Sequence, residues 1–274
     1  MVARARDGAE TFLRDCAVTL PPKYLSTPEQ WTKVAQLITG KTVGWDTEYY
    51  REDGADAREG SARSCKVHVW SLAIQTSELS PRGFFRCQSV VLPGEALRWP
   101  AMQLALMEPS TVLVAHNGGV DVHAAENTAP GLRIERIENT LEYARWVWPE
   151  LVNGGGYGLK SLMVSRLGRK PVGDFDELFT EPDTVEKERT VKVKTCSCGE
   201  PKCRKRKGHE KTETETVEKY LFTYAKPRPV PLPKIVPGHV LWDTLVKYAG
   251  EDAECALELR QLLVKERKAR TLPW

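Results

Sequence analysis

The chain has 274 residues, 41% of them hydrophobic and 28% charged, with 40 Lys and Arg against 37 Asp and Glu for a net charge of +3. That apolar share excludes a disordered chain, and the length leaves room for one large or two small domains with a real core. No apolar run approaches the roughly 20 residues of a membrane helix, so a helical spanning protein is excluded and no membrane partner is expected.

Residues 1–25 are mixed in character and contain Pro21-Pro22, which predicts a short lead-in. MVARARDGAETFLRD has no apolar stretch of the kind a secretory signal needs. Of the seven cysteines, four are scattered and three crowd into residues 196–203, which is metal-ligand spacing rather than a disulfide framework. A reducing, cytoplasmic compartment is expected.

Thr27-Pro28-Glu29-Gln30 carries a capping box with Pro at the first helical position, and Trp31, Val34, Ala35 and Ile38 recur at helical spacing until Gly40. Thr42 to Trp45 predicts a strand ending at Asp46-Thr47-Glu48, and residues 51–68 a long polar loop. Val67 to Ile74 and Phe84 to Leu92 predict two more strands. A helix is expected over 95–108, a buried strand over Thr111–Ala115, and a helix from about Asp121. Ile137 to Trp148 reads as a short strand or turn continuing as helix, and Tyr157 to Leu167 as an amphipathic helix stopped by Gly168. One or two further helices fill Gly238 to Glu266. Strands alternating with helices imply an α/β layer fold.

Residues 180–235 break that rhythm. Thr184–Thr195 and Thr212–Tyr224 alternate Thr, Val, Glu and Lys as in a solvated two-stranded ribbon, and Pro227, Pro229, Pro231, Pro233 and Pro237 predict an extended return. The expected organisation is a lead-in over 1–25, an α/β domain made of 26–179 and 236–274, and an inserted ribbon over 180–235.

The chemistry lies in four carboxylates. Asp46 and Glu48 stand at i and i+2, on one face of a strand. Asp121 follows the apolar run VLVA and the segment HNGGV, and Asp252 lies one helical turn after Tyr248. Singly each is an ordinary strand-end, cap or surface residue. Brought together they would repel unless neutralised, and hard divalent cations with oxygen ligands, Mg²⁺ or Mn²⁺, suit them.

DTE on the first strand, HN followed by Asp121, and Tyr248 four residues before Asp252 resemble the three exonuclease motifs of the DEDD superfamily, in the right order. Lys247 stands five residues before Asp252, where the other branch has His, so the likeness is to the DEDDy branch. Tyr157-Gly158-Leu159-Lys160-Ser161-Leu162, followed by Leu167-Gly168, is similar to a helix of the proofreading domains of family A DNA polymerases and of ribonuclease D. The likeness covers roughly 27–175 and 236–265.

It implies a ribonuclease H-like fold, a mixed five-stranded sheet flanked by helices, and 3′–5′ exonucleolysis of single-stranded DNA to nucleoside monophosphates. Asp46, Glu48 and Asp252 would hold one Mg²⁺ or Mn²⁺, with Asp46 bridging to a second ion bound by Asp121 mainly through water. Tyr248 would orient the attacking water. Thr47, Tyr49 and Asn117 are expected substrate contacts, with Tyr50 and Trp242 beside them. His116 is read as structural, and Trp45, Trp70, Trp146 and Trp148 as core. Asn139-Thr140 stands where relatives often carry Asp-Thr, and no polymerase module of family A is expected. The expectation is a stand-alone exonuclease, or a proofreading subunit acting in trans beside a separate DNA polymerase. Trimming of RNA 3′ ends in the manner of ribonuclease D is the alternative, and a catalytically silent nucleic-acid-binding or recruitment module is the alternative of another class.

In the insertion, Cys196, Cys198, Cys203 and His209 offer three thiolates and an imidazole, the donor set of a structural tetrahedral Zn²⁺. Lys192 to Lys211 carries eight Lys or Arg and only Glu200 and Glu210 as acids, a charge suited to phosphate contact or to protein docking.

Overall fold

The computed structural model describes residues 22–51, 64–79, 85–153, 156–196 and 213–270, apart from the side chains of 153, 183–196 and 213–227. The chain divides into two units, one built from residues up to Leu178 and from Pro231 onward, the other from Phe179–Val230.

In the first unit β1 (Lys23–Tyr24) leads to α1 (Pro28–Ile38), β2 (Thr42–Arg51), β3 (Cys65–Leu79) and β4 (Phe85–Pro93). There follow α2 (Pro100–Met107), β5 (Val112–Ala115), α3 (Gly119–Thr128), β6 (Ile137–Asn139), α4 (Thr140–Val147), α5 (Leu159–Leu162) and α6 (Phe175–Leu178). The 29-residue helix α7 (Trp242–Arg270) closes the unit. α1 begins as its sequence dictates: Thr27 accepts from the Gln30 amide, and the Gln30 side chain accepts from the Thr27 amide.

The sheet is mixed and runs β1-β4-β3-β2-β5-β6. β3 is antiparallel to both β2 and β4, while β2, β5 and β6 run parallel and β1 lies parallel to β4. It has six strands rather than the expected five. The extra strand comes from the segment expected to be lead-in, where Leu25 is fully buried and its amide donates to the Val91 carbonyl at 2.9 Å. A two-residue strand carries no periodicity to read.

Alternation along β2 divides the core. Val43 and Trp45 point into one cluster with Trp31, Val34 and Ile38 of α1 and Met102 and Leu106 of α2. On the opposite face Ala73 and Val114 pack against Ala253 and Leu257 of α7. A third cluster joins α4 and α5 to the distal half of α7 through Val147, Trp148, Met163, Leu259 and Leu263. Each fully buried aliphatic or aromatic side chain contributes about 1.5–3 kcal/mol.

Three expected elements take different bounds. Residues 95–108 do not form one helix, because Pro100 forces Trp99 into an extended conformation (φ −70°, ψ 125°); a 3₁₀ turn over Gly94–Arg98 precedes α2. The expected helix from Tyr157 begins only at Leu159 and passes into a π-helical turn, Met163–Leu167, closed by left-handed Gly168. Cys65 and Lys66, expected in a loop, belong to β3. Trp146, expected in the core, is 66% exposed, because Ala144, Val147 and Trp148 take the inward positions around it.

The second unit is an antiparallel ribbon of β7 (Thr180–Cys196) and β8 (Glu213–Pro229), in register from Thr180 opposite Pro229 to Cys196 opposite Glu213. Pro227 and Pro229 lie within β8 rather than in an extended return. A two-stranded ribbon has only edge positions, where a residue without an amide hydrogen is tolerated.

Candidate active site

The site begins with the pleat of β2. Gly44, Asp46 and Glu48 share one face, opposite Val43 and Trp45, and a bulge follows between Glu48 and Tyr49. The strand does not end at Glu48 as expected but runs on to Arg51. Asp46 and Glu48 are therefore interior to it, opposite Ser71 and Val69 of β3.

Small residues let α7 settle onto that face. A Cβ added to Gly44 would lie 2.1 Å from the Ala253 carbonyl oxygen, and one added to Gly250 would lie 2.4 Å from Pro22. The Ser71 hydroxyl donates to the Ala249 carbonyl at 2.8 Å. Asp252 thus lies against the strand that carries Asp46 and Glu48, with Tyr248 one turn before it on the same side of the helix. Coulombic coupling links Tyr248 to Asp252, Glu48 and Asp46.

Asp121 enters from the first turn of α3. Its Oδ1 accepts from the Thr47 hydroxyl at 2.5 Å and from the Thr47 amide at 3.2 Å. Thr47 is itself buried, with its hydroxyl turned to Asp121. Asn117 is exposed and left-handed (φ 65°), held by its amide donating to Asn139 Oδ1 at 3.0 Å. Tyr49 packs on the core, and burial with the nearby acids pushes its hydroxyl up to about 12. Trp242, expected beside the substrate, is buried edge-to-face against Tyr24.

Glu48, Asp121 and Asp252 are only 9, 9 and 7% exposed. Burial pushes the carboxyls of Asp46 and Glu48 well up; the charges of Glu48, Asp252 and Asp121 add to it at Asp46, and those of Asp252 and Asp121 at Glu48. It raises Asp252 against the pull of Lys160, and takes Asp121 to about 6 despite the Thr47 hydrogen bonds. Asp46 hydrogen-bonds Glu48, and the Asp46 Oδ2 is buried with no hydrogen-bond partner among the described residues. Buried carboxylates with an orphaned oxygen are short of positive charge. That deficit, and a donor set made only of oxygen, fit Mg²⁺ or Mn²⁺.

Among the described residues no three His, Cys, Asp or Glu side chains close around one point as ion ligands. The hydrogen bonds show why. Asp121 is turned to Thr47, and Asp252 is held by the Lys160 ammonium.

Lys160 is the site residue that the sequence did not single out. It lies in the GLKSL segment, its Nζ pairs with Asp252, and it stands 4.0 Å from the centre of the Tyr248 ring. Phe175 of α6 meets the same ring edge-to-face at 5.7 Å. The signal for Lys160 was its place as the single cation of the motif; Phe175 offered none.

His116 is structural, as expected. Its Nδ1 lies 2.9 Å from the Thr140 hydroxyl and its Nε2 2.7 Å from the Tyr157 carbonyl, and burial lowers its pKa to about 4. It ties the end of β5 to the chain entering α5. Beyond the site, Arg169 joins Glu254 and Glu258 at 3.2 Å each and Glu251 at 3.6 Å, bracing the segment after Gly168 against α7. Cys198, Cys203, His209 and the side chain of Cys196 lie outside the described residues.

A solved structure described as the apo form of a nuclease superposes on this chain with a TM-score of 0.50, covering 92% of this chain and 84% of the other at 14% sequence identity. The likeness is one of fold. No protein-family model and no curated protein matches the sequence. Among the described residues no helix is long and apolar enough to cross a membrane.

Proposed function

We propose that the protein is a metal-dependent 3′–5′ exonuclease of the DEDDy type, releasing nucleoside monophosphates from single-stranded DNA. The observation that carries this is the meeting of Asp46, Glu48, Asp121 and Asp252 with Tyr248 in one buried, cation-deficient cluster. The strand order β4-β3-β2-β5-β6, with β1 added at its edge, supports reading the fold as ribonuclease H-like. The likeness to a solved nuclease supports the same reading. Direction and product rest on the order of the motifs.

Asp46, Glu48 and Asp252 would hold one divalent ion, and Asp46 with Asp121 a second. Bound together, two such ions supply a clamp for the attacking and leaving oxygens of an in-line displacement. Burial and the surrounding carboxylates keep the Tyr248 phenol neutral. It therefore orients a water by hydrogen bonding rather than removing its proton as a phenolate. Phe175 meets that ring edge-to-face and fixes its plane. Thr47 sets the Asp121 carboxylate, and exposed Asn117 would meet a terminal nucleotide. Cys196, Cys198, Cys203 and His209 are proposed ligands of a structural Zn²⁺ on the strength of their donor chemistry. A separate DNA polymerase is the proposed partner for an exonuclease acting in trans.

The test is digestion of 5′-labelled single-stranded DNA and RNA of equal sequence with Mg²⁺, Mn²⁺ or EDTA, beside Asp46→Ala. A metal-dependent ladder shortening from the 3′ end, absent in the variant, is expected, with DNA the faster substrate. A faster RNA ladder would move the assignment to a ribonuclease D-like trimmer. Retained binding with no ladder would replace the enzyme by a recruitment module.

A further inference from the structure

With Asp46, Glu48, Asp121 and Asp252 taken as ion ligands, we propose that Lys160 is a built-in counter-ion: its ammonium takes a cation's place on Asp252 and must leave for a divalent ion to bind. Three observations converge on it. The Lys160 Nζ is on Asp252 Oδ1, in a pair whose side chains are mostly buried. Its charge reaches Asp46 and Glu48 as well as Asp252, so one ammonium faces three of the four acids. The same group lies over the Tyr248 ring at 4.0 Å, so the aspartate and the tyrosine share one cation.

The surroundings make this a movable charge on a fixed base. Lys160 is the second residue of α5, and the chain entering that helix is pinned by the His116 contact to the Tyr157 carbonyl and by the Tyr157 hydroxyl donating to the Trp148 carbonyl at 2.9 Å. The backbone is therefore held, and only the flexible four-carbon stem has to turn. A hard cation competes with the ammonium for the Asp252 carboxylate, and two positive charges crowded onto one carboxylate repel each other. Loading becomes an exchange, ammonium out and metal in. Between turnovers Lys160 keeps the acids from repelling one another. In the loaded protein its released ammonium is a mobile charge beside the site, suited to a phosphate.

The test is Mn²⁺ binding by calorimetry on the full chain, comparing wild type with Lys160→Met and Lys160→Arg. Removing the competing charge should tighten Mn²⁺ binding about tenfold in Lys160→Met, whereas Lys160→Arg should show no gain. In EDTA the Lys160→Met protein should melt below wild type, and Mn²⁺ should close the gap. Equal or weaker Mn²⁺ binding by Lys160→Met, with measurable binding by wild type, overturns the exchange alone. No binding by any of the three overturns the ion site, and the exchange with it. A readout on wild type needs no folded variant: acylation of the Lys160 amine, followed by mass spectrometry, should be severalfold faster in Mn²⁺ than in EDTA. An equal or slower rate overturns the proposal.

Discussion

Gly44 lies directly beneath the carbonyl of Ala253, so that a single methyl group on the strand would stand 2.1 Å from the oxygen on the helix. This contact sets the distance between Asp46 and Asp252, two residues on from Gly44 and one before Ala253. Gly44→Ala should push α7 off the sheet, costing about 1–3 kcal/mol in overpacking. Nuclease activity should fall at least about a hundredfold, because small misplacements of reacting groups are that costly. Thermal melting and the digestion assay, run on the same preparation, check both effects.

Tyr248→Phe removes the hydroxyl and leaves the ring between Lys160 and Phe175. Its turnover should drop by roughly 10²–10³-fold, the scale of one positioned hydrogen-bonding group, with Mn²⁺ affinity unchanged. Phe175→Ala frees the edge of the Tyr248 ring without touching the hydroxyl. Its loss should be smaller, about tenfold in turnover, and Phe175→Leu should restore little, since the contact is aromatic. Single-turnover digestion separates these effects from product release.

Without cations the protein should lose stability as pH rises. Burial raises the Asp46, Glu48 and Asp252 carboxyls and brings Asp121 to about 6 from an ordinary 3.8. Above the ordinary values the folded chain keeps protons that the unfolded chain has released. The stability they contribute is present below those values and is lost as pH climbs through the raised ones. In EDTA the melting temperature should fall by several degrees between about pH 5 and about pH 7.5, at roughly 2–4 °C per kcal/mol. Mn²⁺ should flatten that slope. His116 works in the opposite sense: its lowered pKa means that stability present above the ordinary 6.5 is lost as pH falls toward about 4. Because His116 is not one of the proposed ion ligands, subtracting the Mn²⁺ profile from the EDTA profile isolates the carboxylates. A flat difference would contradict the expected coupling.

Arg169→Ala would leave Glu251, Glu254 and Glu258 facing one another without the guanidinium that joins them. A loss of about 3 kcal/mol is expected, because removing one partner of a largely buried ion network uncovers the charges of the rest. Arg169→Lys should recover only part of it, since a single ammonium does not reproduce a two-nitrogen fork. Urea melts at constant slope would measure both.

Much of this site was legible because its residues obey simple periods. Asp46 and Glu48 face one way by the two-residue pleat, Tyr248 and Asp252 by the helical turn, and the capping box sets the start of α1. The fold class followed from the same alternation of strands and helices. The remainder depends on contacts between distant segments. Lys23–Tyr24 becomes a strand only because β4 offers an edge and Leu25 has a place in the core. Lys160 resembles any surface lysine until α7 brings Asp252 to it. Trp146 and Trp242 show how weak residue type is beside position, since the one expected inside is exposed and the one expected at the substrate is buried.

One long helix carries both Tyr248 and Asp252, and it lies about two hundred residues downstream of Asp46 and Glu48. At roughly 5–20 residues per second of synthesis, β2 is exposed for some ten seconds or more before its partner helix exists. Throughout that interval the growing chain has neither the tyrosine nor the fourth carboxylate. On the proposed activity the nascent protein is harmless to the nucleic acid around it, and the nuclease is armed only when α7 folds down across Gly44.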